Sequence, residues 1–137
     1  MLSAVTPTLS VMDMKLELVA VPVTDVDRAR DFYVRAGFVL DHDHTVSEEI
    51  RFVQLTPPGS GCSIALGRGL TRMAPGALDH LQMVVADADA ARADLGQRGI
   101  EVSDVDDQAW GRFVYFSDPD GNGWALQQLP DWSAGAQ

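Results

Sequence analysis

The sequence is short of cysteine and of long apolar segments, and each shortage excludes a class of protein. A single cysteine among 137 residues, Cys62, cannot form an internal disulfide or build a thiolate metal site by itself. No apolar run approaches the roughly 18 residues of a membrane helix, and residues 1–13 lack the basic and apolar regions of a secretion signal. The sequence therefore predicts a cytoplasmic protein that has no membrane partner.

Basic residues are also scarce. Ten Lys and Arg stand against twenty Asp and Glu, which gives a formal net charge of −10. Such a surface would repel phosphates, so nucleic acid is excluded as a partner. An acidic surface can raise the local concentration of a cationic ligand, or it can simply keep the protein in solution. The second interpretation is the simpler one.

An internal repeat defines the architecture. Residues 16–40 align without a gap on residues 78–102, a shift of 62 residues. Each copy begins with a strand rich in Val and Leu and continues into a helix, which Thr24 is predicted to cap in the first copy. Gly37 and Gly99 follow the two helices, at the positions where a left-handed cap is expected.

Three more strands complete each copy. They are predicted at 38–42, 49–56 and 62–67 in the first copy, and at 100–105, 110–117 and 123–129 in the second. We therefore predict an α+β fold of two tandem βαβββ modules, whose uncovered sheet faces form a shared concave cleft. The predicted parts are a tail at 1–13, modules at 14–67 and 78–130, a linker at 68–77 and a tail at 131–137.

Two stretches carry a resemblance to a known family. "PVTDVDRARDFY" in the first copy and "FSDPDGNGWALQQL" at the end of the second resemble the vicinal oxygen chelate superfamily. This superfamily includes glyoxalase I, extradiol dioxygenases, fosfomycin-modifying enzymes and bleomycin-binding resistance proteins. The resemblance covers nearly the whole chain and implies the glyoxalase/bleomycin resistance fold and a homodimer. It does not choose between enzymes and binding proteins, since the fold hosts both.

The resemblance also implies four strand positions that hold the metal ligands of metal-dependent members. In this sequence they are occupied by Leu18, Ala65, His80 and Ala125. A single imidazole, that of His80, does not hold a divalent ion usefully, so we expect no metal and no cofactor. A non-standard metal site is left open at Glu17, His42 and His44. Glu17 would point to the opposite face of its strand, and the two histidines are predicted to lie in an exposed loop.

Strand alternation predicts which side chains the cleft presents. Apolar and small residues would form its floor, with a few neutral polar groups to orient a ligand and aromatic rings to stack on it. The candidate ligand-binding residues are Leu18, Ala20, Ala65, His80, Gln82, Trp110, Phe113, Tyr115, Ala125 and Gln127. Arg51 and Arg112 are predicted either to be exposed or to bind an anionic group of the ligand.

These residues favour a metal-free binding protein that sequesters a small aromatic or cationic metabolite or drug, as antibiotic resistance proteins do. One alternative is a metal-free isomerase, cyclase or lyase, with His80 as the catalytic acid or base, because an imidazole titrates near neutral pH. A structural histidine is an equally simple interpretation of His80. A metal-dependent glyoxalase or dioxygenase is disfavoured by the missing ligands. The sequence leaves open the identity of the ligand and whether modules are exchanged between chains.

Overall fold

The first module has the predicted order of elements. The computed structural model describes residues 11–131. Its first five elements are β1 (Leu18–Ala20), α1 (Val26–Ala36), β2 (Val39–Thr45), β3 (Arg51–Thr56) and β4 (Ser63–Arg68). They form a sheet of order β1-β4-β3-β2, in which only β1 and β4 are parallel. Because β2 extends to Thr45, His42 and His44 lie in a strand, so the prediction of a loop is wrong, whereas the predicted exposure of both side chains is confirmed.

The second module repeats this arrangement. Its elements are β5 (Leu81–Val85), α2 (Ala88–Gln97), β6 (Asp106–Gln108), β7 (Gly111–Ser117) and β8 (Gly123–Gln128), in a sheet of order β5-β8-β7-β6. The strand predicted at 100–105 is absent. The backbone N–H of Ser103 donates to the carbonyl of Tyr115, and the hydroxyl of Ser103 accepts from the backbone N–H of Tyr115. The carbonyl of Ser103 accepts a hydrogen bond from the guanidinium of Arg92. A regular ladder therefore begins only at Asp106.

The start of α1 and the ends of both helices are capped, and one capping residue differs from the prediction. The carboxylate of Asp25 accepts a hydrogen bond from the backbone N–H of Arg28 at 3.0 Å, so Asp25, and not Thr24, caps α1. Gly37 ends α1 with a φ of 109°, as predicted, and Gly99 follows α2 with a φ of 80°. No helix within residues 11–131 is long and apolar enough to span a membrane.

The helix-covered faces of the two sheets share one hydrophobic core. The ring of Phe32 on α1 lies 6.2 Å from that of Phe116 on β7, and Tyr33 lies 5.8 Å from Trp124 on β8. The buried core side chains of the strands are Val53, Leu55, Ile64 and Leu66 in the first sheet, and Val114, Phe116, Trp124 and Leu126 in the second. Since these faces pack inward, the opposite faces of both sheets are left open.

The turn between β7 and β8 fastens the second module to the first. The hydroxyl of Tyr33 donates to Oδ2 of Asp118 at 2.8 Å and accepts from Nε1 of Trp124 at 2.9 Å. The amide nitrogen of Asn122 donates to the carbonyl of Pro22 and to Asp118, both at 2.8 Å. Burial, and then the negative charge of Asp118, raises the pKa of the Tyr33 phenol. The hydroxyl therefore stays protonated and donates to the carboxylate.

Asp120, from the same turn, makes a second set of contacts with the first module. Its Oδ1 accepts from the backbone N–H of Thr24 at 3.1 Å and from the Thr24 hydroxyl at 2.7 Å. The guanidinium of Arg28 lies 3.5 Å away. A Cβ at position 76 of the linker would overlap the carbonyl oxygen of Asp120. Only glycine at this position allows the linker to run so close to the turn. Thr24 thus joins the modules instead of capping a helix.

We predict that Asn122→Ala lowers the free energy of unfolding by about 2–4 kcal/mol, because it leaves buried partners unsatisfied. The Asn122 side chain is fully buried and also accepts from the backbone N–H of Leu78. Ser60→Ala, in the exposed turn between β3 and β4, is the matched control and should cost less than about 1 kcal/mol. Urea denaturation measures both values, and equal losses would contradict the prediction.

Candidate ligand-binding faces

The open face of the second sheet brings together five of the predicted ligand-binding residues. Cross-strand pairing places Ala125 between Gln82 and Tyr115, and it places Phe113 beside Gln127. These positions alternate with the core residues of the same strands, so their side chains leave the sheet on the side away from α2. The predicted residues of this module therefore form one continuous surface.

A chain of hydrogen bonds orders the amide side chains on this face. Nε2 of Gln82 donates to Oε1 of Gln127 at 2.8 Å, and Nε2 of Gln127 donates to the carbonyl of Trp110, also at 2.8 Å. A Cβ at Gly111 would overlap the β8 backbone at Gln128, so glycine is needed for the loop to come this close. The two amides are thus held in fixed orientations beside the backbone of Trp110, whose side chain is exposed.

Tyr115 and Phe113 form the aromatic part of the same face. Their rings are nearly parallel, with centroids 6.1 Å apart. Phe113 is buried and serves as floor, whereas the Tyr115 hydroxyl donates to Oδ2 of Asp106 at 3.0 Å. Burial and this hydrogen bond raise the pKa of the Tyr115 phenol. Sequence reasoning missed Asp106, and Gln108, which donates to the same oxygen, because it placed their strand at 100–105.

His80 lies at the end of this face, before β5 begins. It lines a cavity of about 850 Å³ together with Tyr115, Ser117 and, from α1, Arg35. The imidazole is exposed and makes no hydrogen bond to another residue within 11–131. A general base acts on a proton within hydrogen-bond reach in the bound substrate. The ring orientation of His80 is not fixed by any hydrogen bond from the described residues.

The open face of the first sheet holds the remaining predicted residues. Strand pairing joins Leu18 to Ser63 and Ala20 to Ala65, and Gln54 lies on the other side of Ala65. Nε2 of Gln54 donates to the hydroxyl of Ser63 at 3.3 Å. Sequence reasoning missed both polar residues, although strand alternation places them beside Leu18 and Ala65. This face is a shallow apolar surface with polar groups at one side.

Within residues 11–131 of one chain, the open faces of the two sheets do not share either of two cavities, of about 490 Å³ and 850 Å³. The reason is the shared core, which directs the helix-covered faces inward and the open faces outward. Leu18, Ala20 and Ala65 are therefore separated from the ligand-binding candidates of the second module.

The strand register shows that Ala65 and Ala125, two of the four positions that the resemblance assigns to metal ligands, are equivalent in the two modules. Ala65 pairs with Ala20, and Ala125 pairs with Gln82, which lies 62 residues after Ala20, so Ala65 and Ala125 are equivalent. Within residues 11–131, no three or more His, Cys, Asp or Glu side chains lie close enough together to hold a metal ion. The donor set at these positions therefore does not fit the metal centre of the metal-dependent relatives.

The other metal-ligand candidates lie apart from these positions. His42 and His44 share one face of β2, with ring centroids 5.8 Å apart, and both are exposed. Glu17 precedes β1, where its backbone carbonyl accepts from the N–H of Ser63. Two imidazoles without a third donor close by do not complete the four-ligand sphere of a structural zinc site.

Arg51 and Arg112 hold their own modules together. Arg51 binds Asp27 at the start of α1 at 2.8 Å and Asp43 on β2 at 2.9 Å, and only 11% of its side chain is exposed. Arg112 makes the equivalent bond to Asp89, at the start of α2, at 2.7 Å. The hydrogen bond from Arg51 lowers the pKa of Asp43. Both guanidinium groups are thus engaged with carboxylates of the protein.

The sequence and the fold together identify the class of protein. Residues 15–126 match the sequence model of the Glyoxalase/Bleomycin resistance protein/Dioxygenase superfamily. Because this match spans most of the chain, the protein belongs to that superfamily. The resemblance drawn from the two sequence stretches, and the fold class that it implied, are confirmed.

Three solved structures share this fold. TnmS3, an antibiotic binding protein from Streptomyces sp. CB03234, is 37% identical, with a TM-score of 0.79, and the alignment covers 88% of this chain and 100% of that one. A glyoxalase/bleomycin resistance protein from the same organism is 39% identical (TM-score 0.73, covering 83% and 100%). A superfamily member from Sphaerobacter thermophilus DSM 20745 is 31% identical (TM-score 0.74, covering 85% and 98%). Comparison with curated proteins gives no match.

We predict that Arg51→Gln lowers the free energy of unfolding by about 1–2 kcal/mol at neutral pH, and that the more exposed Arg112→Gln costs less. Because the pKa of Asp43 is lower in the folded state, its contribution is complete above about pH 4 and is lost as the pH falls through the folded value. The difference between wild type and Arg51→Gln should therefore shrink in acid. Denaturation at pH 7 and pH 3 measures it, and a constant difference would contradict this account.

Proposed function

We propose that the protein binds a small aromatic or cationic molecule on the open face of its second sheet and acts by sequestering that molecule. The observation that carries the proposal is the ordered pair of amides, Gln82 and Gln127, beside the aromatic floor. A flat floor with a few fixed polar groups is the usual composition of a small-molecule site. The similarity to an antibiotic binding protein at 37% identity supports a resistance-type role.

The charge of this face suits the proposed ligand. Asp106 contributes a carboxylate at one side of this face. Tyr115 and Gln108 both donate to the same oxygen of that carboxylate, Oδ2. The side chain of Arg112 on β7 points to the opposite face of the sheet, where it is paired with Asp89 of α2. A flat ring could therefore lie against the floor, with a positively charged or hydrogen-donating substituent toward Asp106.

We propose that such a ring binds over Ala125. This side chain is fully buried between its two larger neighbours across the strands, Gln82 and Tyr115. A methyl group projects little from the sheet, so a ring that displaces these larger side chains can come close to the strand. We infer that Trp110, which is 59% exposed, then packs over the ligand.

We further propose that a second copy of the chain completes the site. Large apolar side chains are exposed on or beside both open faces, namely Leu16, Leu18, Val84 and Trp110. Contiguous apolar surface of this kind is typical of protein–protein contacts. In a twofold homodimer, the first sheet of one chain would cover the second sheet of the other and enclose two equivalent clefts. Leu18, Ala20 and Ala65 would then reach the ligand from the partner subunit.

Sequestration needs no catalytic group, and the environment of His80 agrees with that. Within residues 11–131 no hydrogen bond orients its imidazole. We therefore assign His80 to the rim of the binding face, where it can hydrogen-bond to a ligand. The cytoplasm, in which Cys62 would stay reduced, is the proposed place of action.

Isothermal titration against a panel of flat aromatic antibiotics, with ethidium as a cationic member and coumarin as a neutral one, tests the proposed function. At least one compound should bind with one site per chain. Gln127→Ala should then raise its Kd about 3–10-fold through lost hydrogen bonds, whereas Gln97→Ala, at the end of α2, should leave it unchanged. Turnover of a compound that His80→Ala abolishes would contradict sequestration, as would a panel without binders.

The homodimer is tested by sedimentation equilibrium. Wild type should sediment as a dimer, and Leu18→Asp should dissociate it, because the change places a charge in the proposed contact. Val34→Asp is the matched control, since Val34 is 45% exposed on α1, away from the open faces. A wild-type chain that sediments as a monomer and still binds its ligand would overturn the shared cleft.

A further inference from the structure

The two modules meet at two junctions that the internal repeat makes equivalent, but within residues 11–131 the turn of only one junction forms hydrogen bonds to the other module. At the first junction, residues 118–122 bind Pro22 and Thr24 of the first module. At the second, residues 57–61 face β5 and α2 of the second module. Within residues 11–131, no hydrogen bond joins this second turn to the other module.

Strand register establishes which residues correspond. Trp124 pairs with Leu81, and Ile64 pairs with Val19. Because Leu81 lies 62 residues after Val19, the spacing of the repeat, Ile64 is the counterpart of Trp124. The indole that donates a hydrogen bond at the first junction is therefore replaced by a smaller, apolar side chain in the first sheet.

The other members of the hydrogen-bonded set are replaced in the same way. Leu95 on α2 lies 62 residues after Tyr33, and both are buried. Pro57 begins the turn at 57–61, directly after β3, just as Asp118 begins the turn at 118–122, directly after β7. Neither replacement has a side-chain hydrogen-bonding group. The second junction has thus lost both the bulk and the polar partners that fill the first.

A cavity of about 490 Å³ lies at this second junction. Its walls are mainly apolar and come from both modules, with Phe38, Met83, Val85, Leu95, Phe116 and Leu126 among them, and Gln82 and Val84 of β5 also line it. No Lys, Arg or His of residues 11–131 lines it. The carboxylate of Asp94 is already bound by Arg98 at 3.2 Å. This composition disfavours anions and offers little to a cation.

We propose that this inter-module cavity is a second binding site for a neutral aromatic molecule of two or three rings, distinct from the floor at Phe113, Tyr115 and Ala125 although it shares Gln82 with the open face. Its volume lies in the range of about 300–1,000 Å³ that is typical of ligand pockets. Apolar cavities of this type take up apolar guests, because water gains few hydrogen bonds there. A guest would touch α2, β5 and the turn at 57–61 together, so binding would stabilise the packing of the two modules.

The test uses the neutral fluorescent probe N-phenyl-1-naphthylamine with the full chain. Wild type should bind it saturably at the cavity, and its melting temperature should rise with probe concentration. Ala91→Phe, which fills the cavity from α2, should weaken binding at least tenfold. Ala90→Phe, on the exposed side of the same helix, is the matched control and should leave binding unchanged.

A measurement on the wild-type protein does not depend on how the variants fold. Ring currents of the bound probe should shift the methyl NMR signal of Met83, which lines the cavity, and not that of the exposed Met73. Trp110→Ala, on the open face and outside the cavity lining, should leave the probe's affinity intact. Absence of saturable binding, an unshifted Met83 methyl, or affinity lost in Trp110→Ala but not in Ala91→Phe would each overturn the proposal.

Discussion

The buried carboxylate of Asp118 is the group on which the arrangement of the two modules depends. Its Oδ1 accepts from the backbone N–H groups of Asp120 and Asn122, and its Oδ2 accepts from the Tyr33 hydroxyl and the Asn122 amide. A carboxylate that is 5% exposed is tolerated only when such partners replace water. Because Tyr33 belongs to the first module, the two modules cannot rotate apart without exposing an uncompensated charge.

This constraint decides what each sheet can do. It turns the helix-covered faces toward each other, so the open faces become the surfaces available to ligands and to other chains. On these faces, Leu18, Ala65 and Ala125 occupy positions that the family resemblance assigns to metal ligands. Their side chains supply no donor atoms for a coordination sphere. The same backbone can therefore serve binding without the donor set that metal chemistry requires.

The two modules have kept the interactions within each module and have diverged where they meet. The bonds from Arg51 to Asp27 and from Arg112 to Asp89 fasten each helix to its own sheet. Each module needs this contact to cover its sheet, so both copies have it. The junctions need not be alike, since one closed junction suffices to fix the relative position of the modules. The second junction is thus free to hold a cavity.

The sequence by itself determined the order of the elements, the repeat and the face on which Gln82 and Gln127 lie, because strand alternation is a local property of the backbone. Local patterns favoured Thr24 over Asp25 as helix cap, which was wrong because both side chains can accept the hydrogen bond, and they placed β6 too early. Only the tertiary structure decided which faces meet. That choice rests on contacts such as Trp124 with Tyr33, 91 residues apart, which no local period encodes.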